Sequence, residues 1–117
     1  MFGLECDIAK TRKLAQDAKG ANELFECKTF ANDLKAKMQK NGIKGEEITV
    51  KTPSAEGKAG NIWSDNFKRN ISTNGEHKAI QVGDTVFDNL NPNGVKVSNW
   101  EADLFSVYGH STSRTPF

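Results

Sequence analysis

Residues 74–94 read NGEHKAIQVGDTVFDNLNPNG, and the fold follows from how this stretch pairs with itself. Gly83-Asp84 is a two-residue loop of the kind that closes a tight antiparallel hairpin between HKAIQV and TVFD. Closing the chain there sets Val82 opposite Thr85, Gln81 opposite Val86, Ile80 opposite Phe87, Ala79 opposite Asp88 and His77 opposite Leu90. Ile80, Val82 and Phe87 then form a core stripe on one face, with His77, Ala79, Gln81, Val86 and Asp88 on the other. His77 and Asp88 become diagonal neighbours. Diagonal residues lie about 7–8 Å apart along the backbone, a gap that an imidazole and a carboxylate can close with a hydrogen bond.

Upstream of the hairpin, Phe30, Ala31, Leu34 and Met38 recur at steps of three and four and stop at Asn41-Gly42, which predicts a helix beginning between Glu23 and Cys27. Cys27 falls on its inward stripe within the first turn. An earlier helix is expected from Leu4, Ile8, Leu14, Ala15 and Ala18, ending at Gly20. Ile48 and Val50 alternate with polar residues as a strand closed by Thr52-Pro53, and SAEGKAGN (54–61) reads as loop. Residues 61–67 suggest a short strand and a turn, NISTNG (70–75) a turn, and NPNG (91–94) another turn before a strand at VKV. Ser98 and Glu101 have capping-box spacing, so a short helix is expected from Ser98. The Ser/Thr-rich end, 111–117, is expected to fray. The expected class is α+β, with N-terminal helices packed on a small antiparallel sheet in a single domain over 1–110.

Composition narrows the function classes. The chain has 117 residues, enough for one core and too few for two domains. With its 10 glycines added to the 36% hydrophobic residues, the apolar share is about 45%, which argues for a folded chain. No apolar run reaches the roughly 18 residues that span a bilayer, and MFGLECDIAK meets charge too early for a signal peptide. The net charge of +1 gives no basic field of the kind that draws nucleic acid or anionic membrane. No stable membrane association is expected. Two cysteines, Cys6 and Cys27, lack the spacing of a metal site, and neither metal nor cofactor is expected.

The residues that carry chemistry are one cysteine, one histidine and one aspartate. A hydrogen bond donated to Asp88 would fix one nitrogen of His77 as donor and leave the other free to take a proton, as in a general base beside a nucleophile. Cys27 is the candidate nucleophile, because a helix N-terminus and a nearby imidazolium both lower a thiol pKa from about 8.5. The plain alternative is a small buried thiol and a surface histidine paired with a hairpin carboxylate. Asn22, five residues before Cys27, is a candidate oxyanion donor or a helix N-cap. Trp63 and Lys78 are candidate cleft residues, Cys6 is expected to be structural, and His110 is an expected bystander.

The order of LFECKTFANDL, KNGIKGEEI, NISTNGEHKAIQV and TVFDNLNPNG, followed by a tryptophan-led helix, resembles the papain-fold toxin domains (type 2) of bacterial polymorphic toxins. The resemblance covers roughly residues 24–105, and its most specific parts are NGEH and VFDN with its NPNG. It implies a papain-like cysteine-peptidase fold and a catalytic set that matches here Cys27, His77 and Asp88. It also implies a C-terminal toxin domain of a larger secreted effector in contact-dependent inhibition, acting in the cytoplasm of a competing cell. The implied partners are a cognate immunity protein and a protein substrate, with the free domain a monomer. The implied reaction is thiol attack on an acyl carbon, ending in peptide hydrolysis, Gln or Asn deamidation, or transglutamination. An RNA-cleaving toxin acting on tRNA is a second expectation, with Lys68, Arg69 and Lys78 near the histidine segment as phosphate contacts. A non-enzymatic binding module is a third.

Overall fold

The computed structural model describes residues 2–55 and 58–117. Helices α1 (Phe2–Gln16) and α2 (Cys27–Lys40) are followed by strands β1 (Glu46–Lys51), β2 (Ser54–Ala55), β3 (Lys58–Ala59), β4 (Ile62–Ser64), β5 (Arg69–Ser72), β6 (Glu76–Val82), β7 (Thr85–Asp88) and β8 (Asn91–Lys96). Helix α3 (Val97–Asp103) and strands β9 (Leu104–Phe105) and β10 (Ser111–Pro116) complete the chain. The fold is α+β. A five-stranded antiparallel sheet runs β10-β1-β6-β7-β8, with a three-stranded sheet β5-β4-β9 and the small pair β2-β3 beside it.

The hairpin forms at Gly83-Asp84, with Ile80 opposite Phe87, Gln81 opposite Val86 and Val82 opposite Thr85. The β6–β7 ladder holds only these three pairs, and beyond Ile80 the strands separate. On the helix side, Ile80, Val82 and Phe87 pack with Phe30, Ala31, Leu34, Met38, Ala15 and Ala18. Burying side chains the size of Phe30, Leu34 and Met38 contributes roughly 1.5–3 kcal/mol each. Helix α2 ends where Gly42 takes φ +69° and the N–H groups of Asn41, Gly42 and Ile43 turn back onto the last carbonyls. The sequence pattern marks one core face, but the structure has two. Ala79 and Val86 on the opposite face join Ile48, Val50, Ile62, Ile71, Trp100 and Leu104 in a second buried cluster.

Several local expectations are corrected. NISTNG is only partly turn, because Asn70, Ile71 and Ser72 belong to β5, which pairs with β4. NPNG lies inside β8, with the reversal instead at Asn89-Leu90, between the Asp88–Asn91 pair. Pro92 is tolerated because β8 is an edge strand, and Gly94, at φ +86°, sits where the register shifts. A Cβ on Gly94 would lie 2.7 Å from Thr85 and 2.8 Å from the Phe87 ring. Helix α3 starts at Val97 with Lys96 at the cap and no side-chain capping bond, so the Ser98–Glu101 capping box does not form. The loop expected over 54–61 includes positions 56 and 57, outside the described residues; on either side of them β2 pairs with β3.

The tail does not fray. Ser111–Pro116 forms β10, paired with β1 from Glu46↔Pro116 to Lys51↔Ser111, and the Phe117 N–H donates to the Gly45 carbonyl at 2.9 Å. Arg114 fastens it further, with Nε 2.9 Å from Gln81 Oε1 and Nη2 2.6 Å from Glu101 Oε1. Packed structure therefore continues past residue 110. No described helix is long and apolar enough to cross a membrane.

Candidate active site

His77 and Asp88 meet across the opening fork of the hairpin. His77 Nε2 is 3.0 Å from Asp88 Oδ2, and both residues are buried, 0% and 1% exposed. Burial alone would favour neutral groups. The arrangement answers this by saturating the carboxylate. Asp88 Oδ2 also accepts the Trp100 indole N–H at 2.8 Å, and Oδ1 accepts the Leu90 N–H, the Asn91 N–H and the Asn91 side-chain amide at 3.1, 2.7 and 2.9 Å. Burial pushes the Asp88 carboxyl up, but the His77 bond and charge, with the Trp100 and Asn91 donors, outweigh it and hold the carboxyl below its ordinary range. Trp100 also stacks on the imidazole, with ring centroids 6.1 Å apart and planes 28° from parallel.

Cys27 is the first residue of α2 and is buried, with 9% of its surface exposed. Beyond the last β6–β7 pair at Ile80, the Cys27 side chain reaches the Lys78 backbone N–H of β6. Burial raises the Cys27 thiol, but the His77 imidazole, by hydrogen bonding and charge, and then the Lys78 and Lys28 backbone N–H groups lower it further, so the net shift is downward. His77 responds in kind. Burial would lower it, yet the Asp88 and Cys27 interactions together push it up to about 9. Both shifts favour a thiolate beside an imidazolium. Among the described residues Nδ1 of His77 has no fully formed hydrogen-bond partner, so its contact with the Cys27 sulfur is a loose one at rest that has still to close.

The sulfur opens onto a small cleft of about 80 Å³ lined by Phe25, Cys27, Ile71, Ser72, Thr73, Asn74 and Glu76. The structure brings Cys27, His77 and Asp88 together, with Cys27 alone of the three lining the cleft and the buried His77 and Asp88 behind it, whereas the other sequence candidates take no part in this group. Asn22 sits in the loop before α2 at φ +64°, with its side chain exposed and its N–H donated to the Asn89 carbonyl at 2.7 Å. It is not the N-cap either, a position held by Glu26. Trp63 faces outward between buried Ile62 and Ser64, and borders a shallow depression with Asn61, Asn70, Phe105 and Val107. Lys78 points to the face opposite His77, where Nζ bonds Glu47 Oε1 at 3.2 Å and Thr49 Oγ1 at 3.0 Å. Cys6 is exposed on α1 and unpaired with Cys27, so it is no part of the core. His110 is exposed and its Nδ1 lies 3.0 Å from Ser106 Oγ.

Two positioning residues have roles that the sequence does not assign them: Trp100, and Asn89, which beside Asp88 reads there as an alternative orienter of His77 turned toward the core face. Trp100 reads there as ordinary packing, although an indole N–H in a buried position demands an acceptor. Asn89 is wholly buried; its side-chain amide donates to the Glu23 carbonyl at 2.7 Å while its own carbonyl holds Asn22. Consecutive residues thus serve opposite faces: Asp88 anchors the imidazole and Asn89 anchors the loop that delivers the thiol.

A helix-borne cysteine, a strand-borne histidine and a hairpin carboxylate on helices packed against an antiparallel sheet define a papain-like, cysteine-hydrolase-like scaffold. The family model described as papain fold toxin 2 matches residues 10–105, and the chain belongs to that family. No curated protein and no solved structure matches it.

Proposed function

We propose that this toxin domain is a cysteine-dependent acyl hydrolase, a peptidase or a Gln/Asn deamidase, acting in the cytoplasm of a competing cell after delivery as the end of a larger effector. The observation that carries the reading is the buried Asp88–His77 bond next to a thiol whose pKa is lowered, at the edge of an open cleft. The Cys27 thiolate attacks the acyl carbon, and backbone N–H groups at the start of α2 hold the oxyanion. His77 gives its proton to the departing amine or ammonia as the C–N bond breaks, leaving a thioester. His77 then takes a proton from water, whose oxygen displaces the sulfur and yields the carboxylate. Asp88 keeps His77 oriented throughout. A cognate immunity protein is the expected partner in the producing cell.

An RNA substrate is less well supported. Apart from Cys27, the ionisable residue lining the cleft is Glu76, a carboxylate that repels phosphate. The Lys78 ammonium is engaged by Glu47, and that of Lys68 by Asp65 at 2.9 Å. Expression of Cys27→Ala or His77→Ala in a bacterium is expected to abolish growth inhibition while circular dichroism shows an intact fold. Full toxicity from a folded Cys27→Ala protein would remove the thiol mechanism. Total RNA run on a gel beside proteome mass shifts from induced cells then separates RNA cleavage from protein hydrolysis or deamidation.

A further inference from the structure

Phe25 combines three features that packing alone does not account for. It is a bulky residue in the left-handed region, at φ +65°, a conformation that strains a side chain of this size. The residue is 52% exposed, so burial returns little of that cost. It also lines the cleft that opens on the Cys27 sulfur, two residues away in sequence. The remaining lining comes from the sheet side, with Ile71 as a buried apolar residue and Ser72, Thr73, Asn74 and Glu76 as polar ones. Ser72 Oγ lies 2.8 Å from Asn74 Oδ1 and 2.7 Å from the Glu76 carbonyl, which share its one hydroxyl proton, and the Glu76 N–H donates to Asn74 Oδ1 at 3.1 Å, so this polar wall is internally braced. Phe25 is the large apolar surface left facing the site.

We propose that Phe25 is a substrate-contacting residue whose ring receives the group flanking the scissile carbonyl, so that the site selects acyl substrates carrying an apolar or planar flank. The cleft size supports end-on entry. At about 80 Å³ it is well below the roughly 300–1,000 Å³ of sites that enclose a whole small ligand, so only the terminal group reaches the sulfur and the flank rests at the mouth. The strained backbone holds the ring there. This inference rests on the thiol reading above, and its test is chosen to fail separately.

The test compares alkylation of Cys27 by iodoacetamide and by 2-iodo-N-phenylacetamide in the folded domain, with exposed Cys6 as internal reference. In the wild type, the phenyl reagent is expected to gain about three- to tenfold at Cys27 relative to Cys6, the size of one aromatic contact. Phe25→Ala and Phe25→Gly should both bring that ratio to the Cys6 value and lose growth inhibition, while the pH profile with iodoacetamide stays unchanged. Phe25→Gly should also melt at or above the wild-type temperature, because glycine accepts the positive φ; a packing role predicts the opposite. An unchanged reagent ratio in a folded Phe25→Gly protein, or full toxicity of either variant, would overturn the assignment. Absence of low-pH reactivity at wild-type Cys27 would instead strike the thiol mechanism, since the reagent ratio is read at a single pH.

Discussion

Under α1 and α2 the five-stranded sheet is covered by Phe30, Leu34, Met38, Ile80, Val82 and Phe87, an apolar layer. The other face is covered by Ile48, Val50, Ala79, Val86 and Trp100, and into this layer are set His77 and Asp88. The first face requires only volume and hydrophobicity, which many side-chain combinations supply. The second must give each buried polar atom a partner of the right kind, so residue identity is constrained there far more than size. Both faces bury an apolar cluster, but the buried His77–Asp88 pair belongs to the second, while Cys27 comes to it from the start of α2; the central strand β6 contributes to both faces by alternation.

The largest effect on stability is expected on the helix side. Leu34→Ala should cost about 2–5 kcal/mol in urea unfolding, since Leu34 is completely buried, yet leave the pH profile of Cys27 alkylation in the folded fraction unchanged. A shifted profile would show that the two faces are not independent.

Asp88→Asn should reverse that balance. Its stability cost is expected at about 1–3 kcal/mol near neutral pH, whereas the alkylation midpoint of Cys27 should rise toward the free-thiol value of about 8.5. The sign with pH follows from the two shifts. Asp88 is held below its ordinary value of 3.8, so its contribution is present above that value and lost as pH falls through the lowered pKa. His77 is raised from 6.5 to about 9, so its contribution is full below 6.5 and lost as pH rises through about 9. Thermal melts should therefore separate wild type from Asp88→Asn most widely between those ranges, and less at either extreme. A constant separation across pH would remove the charged pair as its source.

The smallest effect is expected from Trp100→Phe, which keeps a ring over the imidazole and deletes the indole donor. A loss of about 1.5 kcal/mol should accompany a shift of the acid-unfolding midpoint to higher pH, because Asp88 loses a donor that favours its ionised form. An unmoved midpoint would mean that the indole contributes only its bulk.

What the sequence made legible follows the same division. Regular spacing at Phe30, Ala31, Leu34 and Met38 and the Gly83-Asp84 loop are strong local signals, and they carry the helix, the first three pairs of the hairpin and the contact of His77 with Asp88, although the expected Ala79–Asp88 and His77–Leu90 pairs do not form. Strand β10 has none: every residue in it is exposed, and it is held by backbone pairing to a strand some sixty residues earlier. The NPNG stretch has the composition of a turn, and only the shifted β7–β8 register and the Phe87 ring against Gly94 reveal a strand. The roles of Asn89 and Trp100 depend on contacts with Glu23 and Asp88 that no local pattern encodes. Lys78 and Trp63 stand close to the right segments, but neither lines the cleft at Cys27: the Lys78 ammonium is held by Glu47 and Thr49, and Trp63 faces outward on β4.

The five hydrogen bonds that converge on the Asp88 carboxylate leave its side chain no freedom to swivel. The imidazole tethered to it is accordingly a one-ended instrument: its far nitrogen is committed, its plane is clamped by the indole, and traffic in hydrogen ions is confined to the edge that looks toward sulfur.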